Sequence, residues 1–165
     1  MDFPDPPQVD EDADSFEGNA TKKAVAILNT YGYPALSDDS GLVVDALNGA
    51  PGVYSARYGS PELDDKGRYM FLLENLRNIP EKQRTARFET VMVFAAPHSN
   101  VVVFNGTMEG RIATAPRGNT GFGYDPIFIP TGMSQTIAEL GPEIKNRISH
   151  RSNALRKFQK FASSL

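Results

Sequence analysis

The chain has no cysteine, which excludes a disulfide framework and a thiolate metal site within its 165 residues. Histidine is nearly as scarce. His98 and His150 are the two present, and neither stands in a local motif for a serine–histidine triad. Long apolar runs are missing too: none approaches the ~20 residues a bilayer-spanning helix needs. The opening MDFPDPPQVDEDADS is acidic and proline-rich, unlike the basic and then apolar start of a secretory signal. These features set the expectation of a cytoplasmic protein with no membrane partner. A basic excess is lacking as well. With a net charge of −3, no field over the whole surface attracts nucleic acid, and any polyanion must be held by a local cluster.

What is present fits one globular domain, residues 1–165, with a linker-like acidic start over 1–14; 40% of the residues are hydrophobic and 22% charged. Helical spacing runs from Ser15 to Tyr31 through Phe16, Ala20 and Ile27, and Gly32 supplies a stop. PALS reads as a short strand ending at two aspartates, and GLVVDAL as a second one closed by Asn48-Gly49. Ser60-Pro61 reads as the start of a helix with Tyr69, Leu72, Leu73 and Leu76 inward. Arg84–Ala96 and Val101–Ala113 read as strands of a hairpin joined by PHSN, and a last amphipathic helix from Ser149 carries Ala154, Leu155, Phe158 and Phe161 on one stripe. The class is α/β with a mixed sheet.

Two places depart from these patterns. Asn19 and Lys23 lie on the apolar stripe of the first helix, three and seven residues after Phe16. Lys23 either snorkels to water from the stripe's edge or points into a cleft at an anion. The second place is SDDSG, residues 37–41, where adjacent carboxylates repel and call for a positive charge. Successive strand side chains point to opposite faces, so Asp38 and Asp39 divide into different jobs unless the strand has already ended between them. Ser40-Gly41 suits a sharp exit that lets a ligand approach backbone. An aspartate-rich turn without function remains the alternative.

FEGNATKKA (16–24), SDDSGL (37–42), GAPGVYSARY (49–58), GFGYDPIF (121–128) and KNRISHRSNAL (145–155) occur in an order and spacing that resemble the Ham1-type inosine/xanthosine triphosphate pyrophosphatases. The resemblance implies an elongated two-lobed α/β fold, a homodimer, and Mg²⁺-dependent hydrolysis of ITP, dITP or XTP to the monophosphate and pyrophosphate. It implies Asp39 as general base and metal-associated carboxylate, Asp38 as an acid of the same site, Glu11 as a metal ligand and Lys23 as a phosphate contact. Ser40 is implied at the substrate, Phe122, Gly123, Tyr124 and Asp125 in the base-recognition segment, and Lys145, His150 and Arg151 as further base contacts. On that reading Mg²⁺ and Lys23 supply the charge that SDDSG calls for.

The chemistry is coherent. Mg²⁺ is commonly held by one or two carboxylates plus phosphate oxygens. Lysine, histidine and arginine donors suit a 6-oxo group and meet another donor in adenine. Without the resemblance, GFGYDPIF reads equally as a glycine-rich turn, and SHR as a helix start capped by Ser149. The family ordinarily opens with an apolar strand and a T/S-x-N-x-x-K phosphate loop, which the 165 residues do not contain. Three accounts are open, the first favoured: the start lies upstream, a separate polypeptide supplies the segment, or the chain is a non-catalytic nucleotide-binding protein or remnant.

Overall fold

Ser15 accepts a hydrogen bond from Gly18 N and starts α1 (Phe16–Tyr31), and Gly32, at φ 73°, ends it by donating its N–H to Leu28 O. In the computed structural model, which describes residues 6–164, β1 (Ala35–Val44), α2 (Asp65–Asn75), β2 (Thr85–Ala95), β3 (Val102–Ile112), β4 (Phe128–Pro130), α3 (Ile137–Leu140), α4 (Pro142–Ile148) and α5 (His150–Ala162) follow. Residues 1–5 of the acidic start lie outside the described residues.

The α/β class holds, with one difference in the sheet. Its order is β1-β2-β3-β4, and each described pair is antiparallel, where a mixed sheet was expected. The larger correction concerns β1. PALS and GLVV are one continuous strand running through SDDSG, with Asp38 opposite Met92, Asp39 opposite Val91 and Ser40 opposite Thr90. Two aspartates and a glycine disfavour a strand, but β2 completes the ladder and each polar side chain finds a partner on its own face.

The alternation therefore survives across the pair. Ser37 Oγ donates to Ala20 O of α1, Asp39 faces α1, and a Cβ on Gly41 would stand 2.8 Å from Phe16. Asp38 points the opposite way, to Arg151 of α5, and Leu42 and Val44 enter the main core with Leu72, Leu76, Phe88, Ile127 and Phe128. Ser40-Gly41 is not a sharp exit, because β1 runs straight through it, although both residues line a cavity. Gly41 makes room for the chain itself, since its Cβ would lie 2.4 Å from Gly52 O and 2.6 Å from Ser55 Oγ.

α1 covers one face of the sheet, with Ala20 and Ala24 against Val93 and Ala95. α5 covers the opposite face, where Ala154, Phe158 and Phe161 pack near Met92, Phe94 and Phe104. Leu155, placed on that stripe by its spacing, is 39% exposed. α5 sits so close to β3 that a Cβ on Gly106 would be 2.1 Å from His150 O and 2.7 Å from Ala154 N. That approach fixes where the first residues of α5 point. The helix expected at Ser60-Pro61 starts later, because Asp64 is the residue that caps it, accepting from Gly67 N at 2.7 Å.

Candidate active site

On the α1 face, Asp39 is surrounded by groups from two elements. Its Oδ2 accepts from Asn19 Nδ2 at 3.0 Å, and its Oδ1 accepts from Ser40 N at 3.0 Å and lies 3.9 Å from Lys23 Nζ. Lys23 Nζ also donates to Glu11 Oε1 at 2.9 Å. The Lys23 ammonium neither snorkels free to water nor enters the cavity on the opposite face of β1: it stands between two carboxylates. Burial pushes the Asp39 carboxyl above its ordinary value; Asn19 and Lys23 pull it down, Glu11 pushes it further up, and the net shift is upward. A carboxylate in that state gains from a nearby cation.

Among the described residues no three His, Cys, Asp or Glu side chains gather as a metal cage. The donor set is the pair Glu11 and Asp39, both hard oxygen ligands flanking a locus that already draws the Lys23 ammonium. This fits a cation such as Mg²⁺ that takes one or two protein carboxylates and completes its shell with water and substrate phosphate.

On the opposite face of β1 lies a cavity of about 600 Å³, lined by Ser40, Phe88, Phe122, Tyr124, Lys145 and His150 among others. Its apolar floor is Phe88, whose ring stacks on His150 at 5.0 Å and 11°. Burial pushes the His150 imidazole down to about 4, the Arg151 and Lys145 charges adding to the shift, so the ring is neutral at pH 7. Tyr124 OH donates to Ser55 O at 2.9 Å, and burial raises its pKa. Asp125 is buried and turned inward, with Oδ2 accepting from Phe122 N at 3.0 Å and Lys145 Nζ at 2.5 Å. It shapes the loop, while Phe122, 62% exposed, presents its ring with the Lys145 ammonium 4.0 Å from the centroid. Gly121, at φ 81°, permits this turn, since a Cβ there would meet Asp125 Oδ2 at 2.1 Å.

The two faces touch through β1. Arg151 Nε donates to Asp38 Oδ2 at 2.9 Å, and Ser40 Oγ donates to the same oxygen at 3.0 Å. Thr90 Oγ1, fully buried, lies 2.6 Å from Ser40 Oγ and donates to Asp39 O at 3.3 Å. Burial raises the Asp38 carboxyl, but Arg151, Ser40 and Lys23 outweigh it and hold the group below its ordinary value. Adjacent aspartates thus shift in opposite directions because they look at different neighbours. Ser149 caps α5, accepting from Ser152 N at 3.1 Å, which is the helix-start reading of SHR, and the same cap sets His150 and Arg151 at the cavity.

The twelve residues implied by the resemblance fall into these two groups: Glu11, Lys23 and Asp39 on the α1 face, and Asp38, Ser40, Phe122, Gly123, Tyr124, Asp125, Lys145, His150 and Arg151 on the cavity side. Sequence reasoning gave no role to Asn19, although its place on an apolar stripe was the signal. It missed Thr90, one of several β-branched residues in β2 with nothing local to mark it, and Asp65 and Arg68, which line the cavity from α2.

The chain is similar to known proteins in sequence and in fold. The chain matches the Ham1 family over residues 1–161. It is 49% identical over 156 residues to the dITP/XTP pyrophosphatase of Lactiplantibacillus plantarum, covering 94% of this chain and 77% of that protein. It is 46% identical to the dITP/XTP pyrophosphatase of Halalkalibacterium halodurans, covering 98% and 83%. Its fold superposes on the Staphylococcus aureus Ham1 protein with a TM-score of 0.91 and 41% identity, over 95% of this chain and 81% of that one.

Proposed function

The chain belongs to the Ham1 family, and from that premise we propose that it hydrolyses non-canonical purine nucleoside triphosphates, ITP, dITP and XTP, to the monophosphate and pyrophosphate. The observation that carries the reading is the adjacency of two unlike sites across one strand: a cation-seeking carboxylate pair on one face and a 600 Å³ cavity with an aromatic floor on the other. The relatives named above as dITP/XTP pyrophosphatases support the substrate class and favour turnover over non-catalytic binding.

Bound between Glu11, Asp39 and the triphosphate, Mg²⁺ would neutralise phosphate charge and polarise the scissile anhydride. The residues do the rest. Lys23 leaves the carboxylates to contact phosphate oxygens as the triphosphate enters. Asp39, held on one oxygen by Asn19, accepts a proton from the attacking water at the other, help that is typically worth ~10² to 10⁴ in rate. In the cavity Phe122 stacks on the purine, and Lys145 and Arg151 offer N–H donors to a 6-oxo group. Neutral His150 lines the cavity beside them, its ring stacked on Phe88. Adenine's 6-amino group leaves those donors unpaired, a mismatch that discriminates by up to ~10⁴ to 10⁵. Among the described residues no helix is long and apolar enough to cross a membrane, and we place the enzyme in the cytoplasm as a homodimer that clears the nucleotide pool, with neither nucleic acid nor membrane as partner.

Pyrophosphate release from ITP, XTP, GTP and ATP with Mg²⁺ tests the reading. ITP and XTP turn over and ATP barely does. Equal rates on all four, or release of orthophosphate alone, would overturn it.

A further inference from the structure

The first turn of α2 reaches across the cavity to the loop that carries Phe122. Asp64 already caps the helix through Gly67 N, which leaves the Asp65 carboxylate free of that duty. Its Oδ2 accepts from Gly123 N at 2.7 Å, 58 residues away in sequence, and its Oδ1 accepts from Arg68 Nη1 at 2.8 Å. Arg68 Nη2 donates to Leu63 O at 2.6 Å, so the guanidinium is fixed at two points. Its Nε is buried with no partner among the described residues. Asp65 and Arg68 both line the cavity.

Gly123 sits at φ 59°, a conformation L side chains rarely adopt, and Phe122 beside it is largely exposed. The ring is therefore set by backbone on either side rather than by burial. Phe122 N is held from within the loop by Asp125, and Gly123 N from outside it by Asp65. We propose that Asp65 is a positioning residue for purine recognition: through Gly123 N it fixes the Phe122 ring at the cavity, and Arg68 holds the Asp65 carboxylate in place. The pair is half-exposed, with Arg68 largely buried and the Asp65 carboxylate open to water, so solvent screens it and it adds little stability. Its contribution is preorganisation, since a loop that must be ordered by the ligand binds it more weakly. The proposal rests on the pyrophosphatase reading for its consequence, though not for its geometry.

The test uses the full chain with Asp65→Ala and Asp65→Asn, the latter keeping an acceptor for Gly123 N. Amide hydrogen exchange over residues 121–125 reads the clamp without reference to activity, and thermal melts check folding. In Asp65→Ala, exchange at Gly123 speeds up, KM for ITP rises ~10-fold and kcat stays within ~2-fold, the split expected for lost binding alone. Asp65→Asn restores protection and most of the KM. Unchanged exchange in Asp65→Ala overturns the clamp, as does faster exchange with unchanged KM, or a loss confined to kcat. If the wild-type chain releases no pyrophosphate from ITP or XTP, the enzymatic reading fails, and the exchange arm still decides for or against the clamp.

Discussion

The α1 face and the α5 face of β1 carry adjacent aspartates and treat them oppositely. Burial raises the proton affinity of both; at Asp39 the Asn19 and Lys23 contacts do not offset it and Glu11 adds to it, so the affinity rises, while at Asp38 the Arg151 guanidinium and Ser40 hydroxyl outweigh it, so the affinity falls. On one face the carboxylates outnumber the single ammonium, while on the other the Asp38 carboxylate is paired with the Arg151 guanidinium. The difference teaches that a carboxylate pair need not be a chemical pair. The strand's period of two turns the adjacent carboxylates to opposite faces, where they meet different partners; the proposed mechanism gives the chemistry to Asp39.

The sharpest way to break the comparison is to neutralise each aspartate in turn. Asp39→Asn lowers kcat by ~10² to 10⁴ while leaving ITP binding largely intact, because the amide keeps the shape and loses the basicity. Asp38→Asn affects KM more than kcat. Steady-state kinetics on both variants checks this, and similar kcat losses from both would erase the distinction.

The next largest effect concerns His150. Its folded pKa of about 4 lies below the ordinary 6.5, so the unfolded chain binds more protons between those values. Stability attributable to the neutral ring is therefore complete above pH ~6.5 and lost as pH falls towards ~4, by roughly 3 kcal/mol at most. Urea midpoints from pH 7 to pH 4 for the wild type and His150→Gln measure it: the wild type falls more steeply. Parallel curves would mean that the ring is not held neutral.

Asn19→Ala sharpens the contrast on the α1 face. It removes a hydrogen bond to Asp39 Oδ2 and orphans Ala13 N, which Asn19 Oδ1 accepts at 2.9 Å. Bonds to charged groups contribute about 1.5 to 3 kcal/mol, so kcat should drop ~10- to 100-fold, with ITP over ATP preference retained. Loss of that preference would show that the faces are not separable. The smallest expected change is in Arg151→Ala, which raises KM for ITP by about 10-fold and leaves ATP near its starting value. Equal losses for both nucleotides would make Arg151 a phosphate or structural residue.

Much of this was legible in the chain wherever a local signal coincided with a tertiary one. Ser15 and Gly32 bound α1 as their chemistry dictates, and the β2–β3 hairpin follows from two segments rich in β-branched and aromatic residues joined by PHSN. SDDSG defeated strand reading because its stability as a strand comes from partners far away in sequence, Asn19, Arg151 and Thr90, which no local window contains. Leu155 shows the reverse failure. It has helical spacing, but the stripe that packs on Phe94 and Phe104 is narrower than the spacing allows. Asp65 was invisible because an acid in the first turn of a helix is ordinary, and its partner Gly123 is a backbone amide that leaves no mark on the sequence.

The division of labour across β1 is tested most directly by calorimetric titration of Asp39→Asn with ITP and with ATP, in the presence of Mg²⁺, while pyrophosphate is followed. ITP is predicted to bind at least ~10-fold more tightly than ATP, as donors matched to a 6-oxo group require, and to remain essentially unhydrolysed through the titration. Equal affinities for the two nucleotides, or pyrophosphate accumulating at the wild-type rate, would contradict the account.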